Sequence, residues 1–290
     1  MPRNAATVIL VKDLAAGLEI FFMRRNQNQG FMGGYSVFPG GRLDDTDCDT
    51  ELWEHYCIPM FSKSSQTLQE PTLPESTARG LYMAAIRETF EESGILLAVS
   101  ASGTIIDFCD AKKVERFKLY RQRIHRREIT MKDLAILEGI RFVPSMMIPY
   151  AHWITPEIEP KRYDTRFFLA RFPNGQYTSH DEDELIASVW ATPDDALRMN
   201  KIGKMPLSPP TLKTVEELSF FQTTEQLFKT ATEREIFTIL PQAYKTDEGF
   251  LGVKLPYDSN YTIAEYKRPP RLGESSRIVN RNGLWVTAMN

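Results

Sequence analysis

An α/β or α+β sandwich is the fold class that this 290-residue sequence predicts, from three observations. Short runs rich in β-branched and aromatic residues alternate with stretches of helical periodicity. Glycine and proline punctuate the boundaries between them. A 42% share of hydrophobic residues is enough to bury a full core, so one large domain with additions is expected.

The elements follow in order. Residues 7–11 and 18–24 read as an N-terminal hairpin around 12–17. Residues 35–38 read as a strand running into Pro39-Gly40-Gly41, a turn that calls on glycine's conformational freedom. The character changes at Asp44, and about 48–74 reads as an inserted excursion with a helical pattern over 52–61 and the polar return SKSSQTLQEPTLPES. Pro74 opens a helix ending near Gly94. Residues 96–99 and 104–108 suit short strands, and a helical excursion covers about 108–142. Strand character returns at 151–155, 165–172 and 187–191, and helices are expected at DDALRMN and from Pro209 through Phe221. The last fifty residues hold 249–255, 261–266 and a hairpin over 276–286 that turns at Asn282-Gly283. The expected organisation is a domain over 1–235 with a C-terminal extension, 236–290, packed on it.

Composition narrows the function classes. No run of 18 apolar residues is present, so no membrane helix is expected. The start MPRNAATVILVKD lacks a signal-peptide pattern, and the end TAMN carries no peroxisomal tripeptide. Cys48, Cys57 and Cys109 are an odd set without CxxC spacing, which argues against a disulfide framework and a zinc site. A cytoplasmic protein with reduced thiols is the expectation. A net charge of −3 provides no strong field for nucleic acid, which is not the expected partner, and a homodimer is left open. The charge is uneven, however: eight Lys/Arg from Lys112 to Arg127 against Glu115 leave that segment at +7 and the rest at −10. Val114, Phe117, Tyr120 and Ile124 recur there at helical spacing. The segment reads as an amphipathic helix whose outer face is either merely solvated or an electrostatic clamp for a polyanion.

The run RETFEESGI, Arg87 to Ile95, carries the chemistry. On a helix, Glu88, Glu91 and Glu92 share one face at i, i+3 and i+4, opposite Met83, Ile86 and Phe90. Like charges at that spacing cost about 0.2–0.5 kcal/mol per pair. Glu91 and Glu92 also stand in the last turn before Gly94, where the helix macrodipole disfavours negative charge. A divalent cation relieves both conflicts. Arg87 lies i, i+4 from Glu91 and is placed to orient it by an ion pair.

Together with Phe38-Pro39-Gly40-Gly41, this run resembles the signature of the Nudix hydrolases: a glycine, five residues, a glutamate, seven residues, then REUxEExGU with U apolar. Gly41 matches the first glycine, Asp47 stands where the early glutamate belongs, Thr89 replaces the first apolar position, and about 32 residues are inserted before Arg87. The interruption, with AATVILVKD, VFPGGRLD, WITPEIEPKRYDTRFFLARFP and LSPPTLKTVEEL, resembles the branch that contains the mammalian peroxisomal coenzyme A diphosphatase and bacterial relatives. The resemblance implies a Nudix α/β/α sandwich with a mixed sheet, helical insertions and a C-terminal extension. It implies a hydrolase dependent on Mg²⁺ or Mn²⁺ that splits the diphosphate of a small nucleoside-diphosphate derivative. Coenzyme A or acyl-coenzyme A leads, giving phosphopantetheine and adenosine 3′,5′-bisphosphate. An ADP-ribose, NADH or nucleotide-sugar pyrophosphatase, and a non-catalytic polyanion or RNA binding module, are the alternatives.

By the same resemblance Glu88 and Glu92 are metal ligands, Glu91 is a ligand or an outer partner, and a Gly40 or Gly41 carbonyl completes the sphere. Within SHDEDELIASVW, the acidic residues Asp181, Glu182, Asp183 and Glu184 are general-base candidates, of which Glu184 has a spacing to Trp190 like that in some relatives. Arg24 and Arg25, paired at a strand end, are either plain surface or contacts to substrate phosphate, and Gly40 is a further candidate contact. His152 is expected as a core histidine, and Arg162 and Arg166 flank Asp164 either as an internal ion pair or toward substrate. Phe31 and Tyr35 are placed to stack on an adenine, although core packing is the default for such aromatics.

Overall fold

The apolar alternation at the N-terminus becomes a long central strand because both of its faces find a helical layer. The computed structural model describes residues 1–15, 17–26, 33–178, 185–271 and 273–288. The chain runs β1 (Arg3–Leu14), β2 (Gly17–Arg25), β3 (Ser36–Val37) and β4 (Gly40–Arg42), then α1 (Thr50–Tyr56), α2 (Ser64–Thr67) and α3 (Glu75–Ser93). After β5 (Ala98–Ser100) come α4 (Ala111–His125), α5 (Met131–Glu138), β6 (Ile140–Phe142), β7 (Met147–Ile154), β8 (Tyr163–Arg171) and β9 (Leu185–Ala191). The helices α6 (Pro193–Lys201), α7 (Pro209–Leu218) and α8 (Thr224–Thr232) precede β10 (Thr238–Ile239), β11 (Gln242–Lys245), β12 (Leu251–Lys254), β13 (Arg277–Arg281) and β14 (Leu284–Ala288).

The main sheet is mixed, in the order β10-β7-β8-β1-β2-β3, with β4 added to β1 and β9 to β2. β1 pairs in parallel with β8 along its length. Its other edge is shared, with β2 pairing residues 11–14 and β4 pairing residues 5–7. That division brings the glycine pair onto the start of β1. Ala6, Val8 and Leu10 point to α3, where Leu81, Ala84 and Ala85 are fully buried. Ile9 and Val11 point the other way, to Leu212 and Val215 of α7 and Leu227 of α8. The expected α/β/α sandwich is therefore present.

The C-terminal strands form a separate sheet, β11-β12-β13-β14, and contribute Val253 and Ile278, with Leu255 just after β12, to the core on the α7 side. The predicted hairpin turns where expected, with Asn282 and Gly283 at φ 54° and 87°, the positive values of a two-residue turn.

Several expectations need correction. The helix from Pro209 ends at Leu218, and α8 follows, capped by Thr223 through the Gln226 N–H. Only Ala98–Ser100 of the stretch 96–108 is a strand, and its partner β6 was not anticipated. Residues 261–266 make turns, with the Tyr261 hydroxyl donating to the Leu240 carbonyl at 2.7 Å. The apolar side of α3 is also wider than one stripe, because the inserted segment covers the flank away from β1. Cys48 approaches Gly80 closely enough that a Cβ there would meet Sγ at 2.5 Å, and Cys57 Sγ lies 3.5 Å from Met83 Sδ.

Glu75, at the first turn of α3, anchors the insertion. It accepts the Ser64 N–H at 2.8 Å, the Ser65 N–H at 3.1 Å and the Ser65 hydroxyl at 2.9 Å, which satisfies donors left over at the start of α2. Burial pulls this carboxyl's pKa up, but those hydrogen bonds outweigh it and the net shift is downward. Because the folded carboxyl is the stronger acid, its contribution is complete above the unfolded pKa of about 4.3 and is lost as pH falls through the folded value. Thermal unfolding from pH 7 to pH 3 should show this as a falling melting temperature, with a shallower fall in Glu75→Gln; parallel curves for the two proteins would refute the assignment.

Candidate active site

The last turns of α3 are shaped by partners from three other segments. Gly94 ends the helix at φ 76°, its N–H donating to the Phe90 carbonyl at 3.0 Å. The carbonyls of Glu91 and Glu92 accept from Arg121 of α4, from Nε at 2.6 Å and Nη2 at 2.8 Å. A guanidinium thus sits against the negative end of the helix, and it offsets the macrodipole conflict that the sequence implied. Phe117 of α4 fixes this arrangement by packing edge-on to Phe90 at 6.4 Å between ring centroids.

Arg87 is the hub. Its Nε and Nη2 hold both oxygens of buried Asp47 at 2.8 Å, Nη2 also donates to the Arg42 carbonyl at 2.9 Å, and Nη1 donates to Glu88 at 2.8 Å and Glu91 at 3.0 Å. All five guanidinium N–H groups are used. The expected Arg87–Glu91 pair is present, and Asp47 proves to be the main partner of Arg87. Asp47 comes from the short 3₁₀ turn Asp45–Cys48, where it also accepts the Asp44 N–H at 2.9 Å. Aspartate serves in place of the longer glutamate because that turn lies directly on α3, against Gly80.

The three glutamates differ in their surroundings. Burial lifts the Glu88 carboxyl to about 7, with Arg87 pulling it down and Glu91 adding to the rise. Glu91 is held by Arg87 and faces His125 Nδ1 at 3.6 Å. Glu92 turns to the glycine strand and accepts the Gly40 N–H at 2.8 Å. Convergence of all three on one point is therefore not what the structure shows: among the described residues, no three acidic, His or Cys side chains are gathered in metal-holding geometry. Arg87 occupies the space between Glu88 and Glu91.

The glycine pair also needs a different explanation from the expected turn. Gly40 and Gly41 lie in β4, opposite Thr7 and Ala6, without a positive φ. Their requirement is steric. A Cβ on Gly40 would stand 2.5 Å from the Ala6 carbonyl oxygen, and one on Gly41 would stand 2.4 Å from the Glu88 carboxylate.

These groups border a cleft of about 1100 Å³. Arg25, Tyr35, His125, Arg127, Trp153 and Phe167 line it, as do Val253 and Trp285 of the C-terminal sheet. Arg25 thus belongs to the cleft, whereas Arg24 does not line it and its buried Nε has no hydrogen-bond partner among the described residues. The Tyr35 hydroxyl donates to the Gly283 carbonyl at 3.2 Å. Asp181, Glu182, Asp183, Glu184 and Phe31 lie outside the described residues. His152 is buried as expected, paired with Asp164 and 3.1 Å from the Thr238 hydroxyl. Arg166 holds Glu70 of the insertion at 2.6 Å and Asp164 at 3.1 Å, so the internal ion pair is the reading that holds for it, while Arg162 donates to the Thr155 carbonyl at 2.9 Å.

The basic helix is less of a bare clamp than its charge suggested. Arg116 pairs with Glu138, Arg123 with Glu128, Arg127 with Asp44 and Lys113 with Asp107, while Arg121 serves the end of α3. Sequence spacing flagged the helix but had no means of singling out Arg121, because its acceptors are backbone carbonyls about thirty residues away.

Fold and site together define the class, a Nudix hydrolase. The family model for the NUDT19 Nudix domain matches residues 54–218, more than half of the chain, and the chain belongs to that family. It is 26% identical over 298 residues to the acyl-coenzyme A diphosphatase NUDT19 of Xenopus laevis, covering 91% of this chain and 76% of that protein. Its likeness to the Gallus gallus protein of the same name is 27% over 279 residues, covering 84% and 72%. A NUDIX hydrolase from Alicyclobacillus acidocaldarius shares the fold, with a TM-score of 0.62 at 24% identity, over 79% of this chain and 96% of that one.

Two outcomes test the geometry. Gly40→Ala should destabilise the protein by about 1–3 kcal/mol, since the new methyl meets backbone, whereas Gly41→Ala should cost less stability because the Glu88 side chain can swing away; equal losses in urea unfolding would contradict this. Arg121→Ala should lower stability by about 2 kcal/mol through loss of two charge-assisted hydrogen bonds. An unchanged urea midpoint for that variant would show that the bonds contribute nothing.

Proposed function

We propose that this hydrolase cleaves the diphosphate of coenzyme A or acyl-coenzyme A with the help of a divalent cation, Mg²⁺ or Mn²⁺. The observation that carries the reading is the set of α3 carboxylates lying under the β4 glycines on the border of a cleft roomy enough for a large nucleotide derivative. Relatives of 26–27% identity that bear the name acyl-coenzyme A diphosphatase support the choice of substrate.

The donor chemistry of these residues suits a hard cation, which would have to draw together side chains that Arg87 and the Gly40 N–H hold apart. Glu88, Glu91 and Glu92 supply oxygen donors only, and a buried carboxyl whose pKa is lifted to about 7 beside a second carboxylate is one that a cation would relieve. Glu88 and Glu92 would hold it, with Glu91 as a further or outer ligand and the Gly41 carbonyl beside them. When bound, the cation neutralises the diphosphate and makes water a stronger acid. Arg87 positions Glu88 and Glu91 and, through Asp47 and the Arg42 carbonyl, locks α3 to β4. Gly40 and Gly41 let that strand lie close to the carboxylates. Arg25, on the cleft wall, contacts phosphate, and Glu184 acts as the general base.

Purified protein incubated with Mg²⁺ should convert coenzyme A and its thioesters to phosphopantetheine-bearing products and adenosine 3′,5′-bisphosphate, identified by mass. Glu92→Gln should reduce the rate by at least about 100-fold. Faster cleavage of ADP-ribose or NADH than of coenzyme A would overturn the substrate assignment, and equal rates for wild type and Glu92→Gln would overturn the site.

A further inference from the structure

The C-terminal sheet lies beyond the matched stretch 54–218, yet it borders the same cleft as the α3 carboxylates. We propose that Trp285, backed by the core residue Val253 and sharing the cleft lining with Pro241, forms a wall that receives the acyl chain of a thioester substrate. The proposal deepens the diphosphatase reading and rests on it for the identity of the ligand.

The wall is held in place by contacts unrelated to chemistry at α3. Trp285 belongs to β14 opposite Asn280 of β13, and its carbonyl accepts from Asn200 Nδ2 at 3.0 Å while Asn200 Oδ1 accepts the Leu207 N–H at 2.9 Å. The Tyr35 hydroxyl, donating to Gly283, ties the β13–β14 turn to the segment that leads into the glycine strand. Val253 is buried in the core on the α7 side, and Trp285 packs half-buried against that core. The hairpin is therefore a fixed border of the cleft.

Its chemistry favours a saturated chain over a nucleobase. Pro209 and Pro210 of α7 line the cleft together with Pro241, and none of the three has a backbone N–H to offer. An indole face can receive either a base or an alkyl chain, but the proline rings and the valine of the same lining offer no hydrogen bonds to a base edge and suit the alkyl chain. A cleft of about 1100 Å³ stands at the upper end of the roughly 300–1000 Å³ of ordinary ligand sites, as a large substrate requires.

The test uses full-length protein in EDTA, so that binding is read without turnover. Palmitoyl-coenzyme A, kept below its micelle concentration, should bind wild type about tenfold or more tightly than coenzyme A by calorimetry. Trp285→Ala should bring that preference to within about twofold while leaving coenzyme A affinity unchanged, and Trp285→Phe should retain most of it. Absence of a preference in wild type, or equal weakening of both ligands in Trp285→Ala, would overturn the inference. Should Trp285→Ala fail to fold, Val253→Thr, of nearly the same size, must lower the preference in the same direction. A parallel assay with Mg²⁺ separates the two claims: no cleavage of either ligand by wild type sinks the hydrolase reading, while the binding comparison still decides the wall.

Discussion

The arrangement around α3 depends on one buried guanidinium. Arg87 joins the 3₁₀ turn through Asp47, the glycine strand through the Arg42 carbonyl, and its own helix through Glu88 and Glu91. A charge taken this far out of water is tolerable only with complete pairing, and each of its five donors has an acceptor. The strand and the neighbouring turn, 40 to 45 residues before Arg87, are thereby held in register with α3 at the place where the carboxylates lie.

Around that hub, the helix end is balanced from outside. Three glutamates near a helix C-terminus form an electrostatically poor arrangement in isolation. The fold offsets it with Arg121 on the carbonyls, Arg87 on two side chains and the Gly40 N–H on the third. The long insertion between Asp47 and Arg87 leaves this balance intact because it departs and returns along the flank of α3, where Glu75 and Arg166 fasten it. An interruption within the motif is thus accommodated without separating its two halves in space.

The C-terminal sheet adds a second layer of construction. It shares the core of the α7 side and supplies Val253 and Trp285 to the cleft, so that the border of the site is shaped by residues 161 to 197 positions from the glutamates. The carboxylate helix lies inside the matched stretch 54–218, whereas the glycine strand before it and this wall after it lie outside.

Much of this was legible in the sequence. Periodicity placed α3, its C-terminal glycine and the carboxylate face, and the turn chemistry of Asn282-Gly283 placed the last hairpin, because such signals depend on near neighbours. Position 47 was recognisable as the early acidic site, and the spacing of Arg87 to Glu91 foretold their ion pair. What the tertiary structure alone decided is the direction of side chains across elements. It made Gly40 and Gly41 necessary through contact with Ala6 and Glu88 rather than through φ, aimed Arg121 at carbonyls thirty residues away, and divided the three glutamates between Arg87 and the glycine strand. The physical reason is that sequence spacing specifies which face of an element a residue occupies, whereas a partner from another element is specified only when packing of the whole core sets their distance.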